Sequence, residues 1–517
     1  MKLSEDQVEA LEKVADWYRS VDQTAIDFCN QGDREDPSYV EGSGCPPWWH
    51  THGSLVGHPV MSVGGLAGTG KTTITALLRE VLGEKTRIAF AAPTHKAVSV
   101  LRRKLVLDDE DDTYSLSTFH SMIYRANPYY WCVKSRQRVA VGWHDCRDVE
   151  EPAVLVAAGE GGTGYHVVTS SPSPGGMRPK REDCRECPHR FQACGAAHHG
   201  ECEVHEEVKW TTKEEVDGCR HLIVVDEASM LSQNDVEQLR TLGLPVLLVG
   251  DHGQLAPVKA DMNEWILSPV VKLEVNHRQG EGASITQLAH KVRGGLRVSE
   301  ADASTEIGVI TRVAHWPVLT AMLERFECGP QRVVITWTNK TRTGINKVMR
   351  QKTGDPEGLP RVGERVISLA TSELLTADDD NPLEMGHGHL VNVFNGEMGT
   401  VTAVGEPSKD GRVIRLAVKL DDASETATRP TILTAAAIAQ LGRATPLPYS
   451  DPKRPRSSSD PDMRYHSWDY GYAITAHKAQ GSEFDDVIVI DEGAMEYDRW
   501  TYTAITRAAK RLVVVKW

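Results

Sequence analysis

The stretch Gly65–Thr72, "GLAGTGKT", has residue types and a spacing suited to holding a chain of phosphates. Gly65, Gly68 and Gly70 let the backbone curl so that successive N–H groups face an anion. Lys71 can neutralise the β and γ oxygens, and the Thr72 hydroxyl can ligate Mg²⁺, with Thr69 and Thr73 beside them. A site of this kind needs carboxylates. "LIVVDEAS" supplies two after an apolar run: Asp226 as the metal partner and Glu227 as the base for an attacking water. Arg278 in "VNHRQ" and Arg507 in "YTAITRAAK" are candidate clamps for transition-state charge.

The elements that must position these groups are legible in the apolar pattern. "LSEDQVEALEKVADWYRSV" predicts an amphipathic helix with Ser4 at its N-cap. "VMSVGG", "RIAFAAPT", "HLIVVDEAS", "PVLLVGD", "RVVITWTN", "DVIVID" and "RLVVVKW" predict strands, several of them followed by helical stretches. Apolar strands alternating with helices imply an α/β protein with parallel sheets covered on both faces, and there is enough of the pattern for two. Residues 122–218 and 356–460 break the alternation. The second region reads as β-rich, with Asn395–Gly396 as a hairpin signal. Phe394 reads as a plug for the core of this region, with a stacking role as the alternative.

At 517 residues the chain exceeds a single core, and about 150 residues per domain predicts three or four domains. The formal charge of −14 argues against a basic coat, but leaves room for a local basic groove. No apolar run approaches the roughly 18 residues of a membrane helix, and "MKLSEDQVEAL" lacks a signal-peptide core, so a cytoplasmic location without membrane association is expected.

The cysteines cluster between Cys146 and Cys219. Cys184 and Cys187 form a CxxC knuckle, with Cys194 and Cys202 as a looser second pair and His189, His198, His199 and His205 as substitutes. Cys146 with Cys184, Cys187 and Cys194 would make an iron–sulfur set instead. Zinc, an iron–sulfur cluster and no metal stay open. A metal here would take a structural role in place of a hydrophobic core.

The ordered set "GGLAGTGKTT", "APTHKAV", "STFHS", "VVDEASM", "LVGDHGQLAPV", "NHRQ", "AITAHKAQGSEFDDVIV" and "YTAITRAAKRL" resembles superfamily 1 helicases of the RecD-like and Dda-like group. The resemblance implies two RecA-like parallel-sheet motor domains, 1–121 with 219–262 and 263–355 with 461–517. It also implies an accessory insertion carrying the cysteines and a wedge hairpin, 122–218, and an SH3-like β domain, 356–460. "YRANPYYWCV" would build the wedge or the core of that insertion. The resemblance makes Gln7 an adenine reader, Gln254 a γ-phosphate sensor, Arg278 and Arg507 arginine fingers, and Gly481 and Glu483 further nucleotide contacts. Thr94, His95, Lys96, Phe119, His120, Trp337, Asn339, Thr475 and His477 would hold single-stranded DNA without reading its sequence.

The implied activity is ATP- and Mg²⁺-dependent translocation on single-stranded DNA, 5′→3′, and unwinding at single-strand/duplex junctions in replication, recombination or repair. A monomeric motor is expected, with replication or recombination proteins as partners. The rival readings are a motor subunit of a larger recombination complex and an ATP-switched clamp that does not unwind.

Overall fold

A computed structural model of the chain describes residues 3–31, 59–83, 86–105, 113–132, 138–141, 154–157, 165–168, 204–213, 216, 221–257, 260–275, 283–310, 316–351, 359–378, 380–408, 411–421, 431–443, 465–493 and 496–517. The larger of two units holds two parallel sheets. The first has six strands in the spatial order Val271–Leu273, Val60–Gly65, Val246–Gly250, Leu222–Val225, Ile88–Ala92, Tyr114–Thr118. Every pairing in it is parallel. Four of its strands are buried almost throughout, which is why they read as unbroken apolar runs and not as alternating ones.

Helix Lys71–Leu82 lays Ile74 and Leu78 onto this sheet, and helix Glu5–Gln31 adds Ala10, Leu11, Val14 and Tyr18 to the same core. Each fully buried aliphatic side chain contributes about 1.5–3 kcal/mol. The first helix starts after Ser4 as expected and runs to Gln31, past the predicted stretch. Ser4 N–H donates to Gln7 Oε1 at 3.2 Å, so Gln7 closes the helix's first turn.

The second parallel sheet has five strands in the order Ile307–Ile310, Ala508–Lys516, Phe484–Asp491, Arg332–Thr336, Ala473–Thr475. Helices Ala283–Arg293 and Tyr497–Ile505 pack together on one face, and Asn339–Gln351 covers the other with Trp316–Leu323.

An eight-stranded sheet, antiparallel apart from one short pairing, occupies the β-rich stretch. Seven strands follow the path Met385–Val393, Ser372–Ala377, Thr431–Ala437, Val413–Leu420, Met398–Pro407, Arg365–Ser368, Trp468–Tyr470, and the eighth, Tyr465–His466, pairs in parallel with Thr431–Ala437 off that path. Strand Trp468–Tyr470 passes within three residues into Ala473–Thr475 of the second parallel sheet. That passage is tight: a Cβ on Gly471 would lie 2.9 Å from the Val366 carbonyl. Buried ion pairs Arg342–Asp469 and Arg350–Glu364, with Asn346 bonded to Tyr470 O and Ala473 N, fasten this sheet to helix Asn339–Gln351.

Two expectations are corrected here. Gly396 adopts φ 90° and turns the chain, but the strands on either side of Asn395–Gly396 do not pair with each other. Phe394 does not plug the sheet's core. It is half-buried, because the turn swings it outward, and its ring stacks on His95 at 3.6 Å.

Tyr124–Lys213 belongs to a separate unit. Its described strands form an antiparallel sheet ordered Tyr165–Val168, Val154–Ala157, Arg138–Val141, Tyr124–Cys132, Val204–Thr212. "YRANPYYWC" is thus a strand, paired from Tyr124↔Thr212 to Cys132↔Val204. Among the described residues no helix is long and apolar enough to cross a membrane.

Candidate nucleotide and nucleic-acid site

In a parallel sheet the loops that can bind ligands gather at the carboxyl ends of the strands. The first sheet divides that edge by strand. Val60–Gly65 ends in the Gly-rich loop, Leu222–Val225 in Asp226 and Glu227, and Val246–Gly250 in Asp251–Gln254. The next two strands, Ile88–Ala92 and Tyr114–Thr118, end side by side in Thr94–Lys96 and Phe119–His120. The second sheet brings the opposite ends of two strands to the same place. Gly481–Glu483 precede Phe484–Asp491, and Arg507 precedes Ala508–Lys516.

Residues from both sheets meet in one cavity of about 760 Å³. Gly68, Gly70, Lys71, Thr72, Thr73, Asp226, Glu227 and Gln254 line it from the first parallel-sheet lobe, and Gly481, Glu483 and Arg507 from the second. Lys96 and Lys104 add positive charge to the wall. Gly68 (φ 85°) and Gly70 (φ 82°) hold the left-handed backbone that the loop requires. A Cβ on Gly65 would lie 2.4 Å from Thr69 Oγ1, so the loop closes on itself only with glycine there.

Lys71 is folded back onto its own loop. Its Nζ donates to Gly65 O at 2.8 Å and Leu66 O at 3.0 Å, and stands 3.6 Å from the buried carboxylate of Asp251. Asp226 is buried, and burial, then the neighbouring Glu227, pushes its pKa up to about 6 despite Lys71 and Lys104. Glu227 is the one non-glycine at positive φ (53°) among the described residues, a strained conformation that turns its carboxylate toward Gln254 Nε2 at 3.4 Å. Arg507 is buried with its guanidinium donating to Thr503 O, Ser482 O and Thr506 Oγ1.

Gln7 lies beside the loop but not on the cavity wall. Its Nε2 donates to Thr69 O at 3.4 Å, so both ends of its amide already have partners. Arg278 lies outside the described residues, as do Cys146, Cys184, Cys187, Cys194 and Cys202 with His189, His198 and His199; His205 falls on strand Val204–Thr212.

Two residues that sequence reasoning left unassigned join the lobes. Tyr502 donates to Asp251 Oδ2 at 2.7 Å and accepts Ala67 N–H at 2.6 Å. His290 Nε2 lies 3.2 Å from Ala67 O, so the same loop residue is gripped twice from the second lobe. Leu255 N–H donates to Thr503 Oγ1, and Gln480 Nε2 to Leu255 O. Asp251 and Tyr502 both sit inside quoted motifs. The signal was a carboxylate and a phenol in stretches otherwise explained by Gln254 and Arg507.

The candidate strand contacts fall into two pairs of adjacent strand ends, one per lobe. Thr94 Oγ1 accepts Ala97 N–H and caps helix His95–Leu105. His95 is neutral at pH 7, its pKa lowered to about 4 by burial and then by His120. His120 and His477 are also lowered, in each case mainly by burial. Lys96 faces the nucleotide cavity and lies 4.9 Å from the Phe484 ring centroid.

Phe119 does not offer a ring to a base. It is 1% exposed, packed inward at the start of its short helix, with His120 left at the surface. Thr336 pairs with Thr475, which brings Trp337, Asn339, Thr475 and His477 to one edge of the second sheet. There Glu492 already accepts the N–H groups of Trp337 (2.7 Å) and Thr338 (3.0 Å), so the two amides just ahead of helix Asn339–Gln351 have a protein anion as partner. Asn339 itself is exposed.

A family model for an AAA domain matches residues 51–260, and one for the UvrD-like helicase C-terminal domain matches residues 470–515. The ATP-dependent RecD2 DNA helicase of Deinococcus radiodurans is 28% identical over 312 residues, covering 56% of this chain and 35% of that protein. The RecBCD enzyme subunit RecD of Mycolicibacterium smegmatis is 26% identical over 333 residues, covering 57% of this chain and 50% of that one. The chain therefore spans half the length, or less, of these relatives. A solved Pif1 helicase from Candida albicans aligns over 100% of this chain and 95% of its own at 13% identity, with a TM-score of 0.41. In its two matched domains, its RecD relatives and the order of its motifs, the chain is similar to superfamily 1 helicases of the RecD/Dda-like group.

Proposed function

We propose that the protein is an ATP- and Mg²⁺-dependent DNA helicase that moves 5′→3′ on single-stranded DNA. One observation carries the reading: a single cavity is lined by Lys71, Thr72, Asp226, Glu227 and Gln254 from one parallel-sheet lobe and by Arg507 from the other. A triphosphate there attracts charge from both lobes, and hydrolysis with release removes that attraction. Lys71 turns to the phosphates, Thr72 and Asp226 hold Mg²⁺, Glu227 takes the proton of a water that Gln254 orients, and Arg507 leaves its carbonyl partners for the transferring phosphoryl group. Arg278 is proposed for the same role as Arg507, and Gln7 for bracing the loop under the adenine.

Thr94, His95, His120, Trp337, Asn339, Thr475 and His477 take the strand along the two pairs of strand ends, so that each closure shifts it by its phosphates. The antiparallel sheet serves as the SH3-like accessory domain. The separate unit carries the wedge or forms a small core of its own, and metal analysis with an absorption spectrum distinguishes zinc, an iron–sulfur cluster and no metal at the cysteines. The deciding experiment is ATP-driven unwinding of 5′-tailed against 3′-tailed duplexes, with Lys71→Ala as the control. Unwinding of the 5′-tailed substrate alone, lost in the control, is the expected result. ATP turnover stimulated by DNA with no strand displacement would favour a clamp.

A further inference from the structure

Asp251 is fully buried. A carboxylate withdrawn from water needs donors or a cation around it. Three groups supply this: the Tyr502 hydroxyl at 2.7 Å, Gly253 N–H at 2.8 Å and Lys71 Nζ at 3.6 Å. Lys71 is the one of the three that a triphosphate also needs.

Tyr502 is suited to remain when Lys71 leaves. It sits on helix Tyr497–Ile505 with no exposed surface. Its oxygen accepts Ala67 N–H, which directs its own proton to Asp251. Burial and the Asp251 charge raise its pKa well above the usual tyrosine value, so it stays a donor at any working pH.

We propose that Tyr502 is a positioning residue that releases Lys71 to the triphosphate, by keeping Asp251 hydrogen-bonded after the lysine turns away. Without that hydroxyl, Asp251 retains only Gly253 N–H and holds the lysine on itself. Tyr502 belongs to the opposite lobe, so release of Lys71 depends on the lobes being in contact. When they part, Asp251 loses its donor and recaptures the lysine. Phosphate affinity is thereby tied to lobe contact through one phenol. The inference rests on reading Gly65–Thr72 as a triphosphate grip.

The test uses the full chain and a fluorescent, non-hydrolysable ATP analogue, with wild type, Tyr502→Phe, Asp251→Asn and the double variant. Tyr502→Phe is expected to weaken binding about tenfold, the scale of one hydrogen bond to a charged group. On the Asp251→Asn background the same change is expected to alter binding less than about twofold, because the two groups act as a unit. Steady-state turnover provides a readout that does not need Asp251→Asn to fold: Tyr502→Phe should raise KM about tenfold and leave kcat within about threefold. Binding by Tyr502→Phe within twofold of wild type, an equal loss on both backgrounds, or a loss confined to kcat overturns the proposal. A wild-type protein that does not bind the analogue, or binds it equally well as Lys71→Ala, overturns the triphosphate reading along with it.

Discussion

Gln254 and Glu227 meet on the wall of the inter-lobe cavity, with Gln254 Nε2 3.4 Å from Glu227 Oε2. Gln254 is 3% exposed, and its Oε1 has no hydrogen-bond partner among the described residues. A buried, unpaired carbonyl oxygen next to a carboxylate is an acceptor pair ready for one water. Glu227→Gln removes the base but keeps the shape. It should bind ATP within about threefold of wild type and hydrolyse it at least about a hundredfold more slowly. Phosphate release beside nucleotide titration measures both, and normal turnover removes Glu227 from the base role.

Arg507 is held by three oxygen acceptors and shares the cavity wall with Lys71. A group that acts on transition-state charge affects turnover far more than ground-state affinity. Arg507→Ala should lower kcat by about 10²-fold or more while ATP affinity falls only severalfold. Equal losses in both would assign Arg507 to binding alone.

Asp226 makes the metal-free protein pH-sensitive. Its folded pKa of about 6 lies above that of the unfolded chain, near 4. The native state therefore binds the extra proton between these values, and stability falls as pH rises from about 4 to about 6 and stays reduced above. Asp226→Asn removes that penalty. In Mg²⁺-free buffer its Tm should exceed that of wild type by a few degrees at pH 7.5, with the gap narrowing toward pH 5. A Tm difference independent of pH would show that the carboxylate is not ionised at such a cost.

The histidines at the proposed strand-binding edges, His95, His120 and His477, all have lowered pKa values and are neutral at pH 7. Phosphate contacts made by neutral donors release few counterions. Single-stranded DNA affinity should change little between pH 6.5 and 8 and should fall only shallowly with salt, with a log–log slope below about 3. A steep slope from fluorescence anisotropy would mean that lysines and arginines hold the strand.

Glu492 receives Trp337 N–H, Thr338 N–H and the hydroxyls of Thr338 and Thr341 at the start of helix Asn339–Gln351. Glu492→Ala leaves these donors without their anion and should cost about 1–3 kcal/mol. Thermal unfolding should show a Tm lower by several degrees. An unchanged Tm would mean that water replaces the carboxylate freely.

The Gly-rich loop and its acidic partners were legible because they depend on local order. Glycines at 65, 68 and 70, a lysine and a threonine form their loop within eight consecutive positions, and "VVDE" ends a strand whichever neighbours it has. The side-by-side placement of Thr94 with His120, or Trp337 with Thr475, needed strand order. The orientation of a ring needed packing: Phe119 and Phe394 read alike as exposed or buried, and the structure places the first inside and the second on His95.

Residue types along the chain were sufficient to determine that a Gly-rich loop with a lysine, two carboxylates and a distant arginine exist, in α/β surroundings, because these features depend on neighbours a few positions apart. Only the tertiary structure decided that Asp251, Lys71 and Tyr502 share one buried charge, since 251 positions separate the phenol from the carboxylate it serves. A contact of that kind depends on how two sheets face each other, and no periodicity in the chain encodes that.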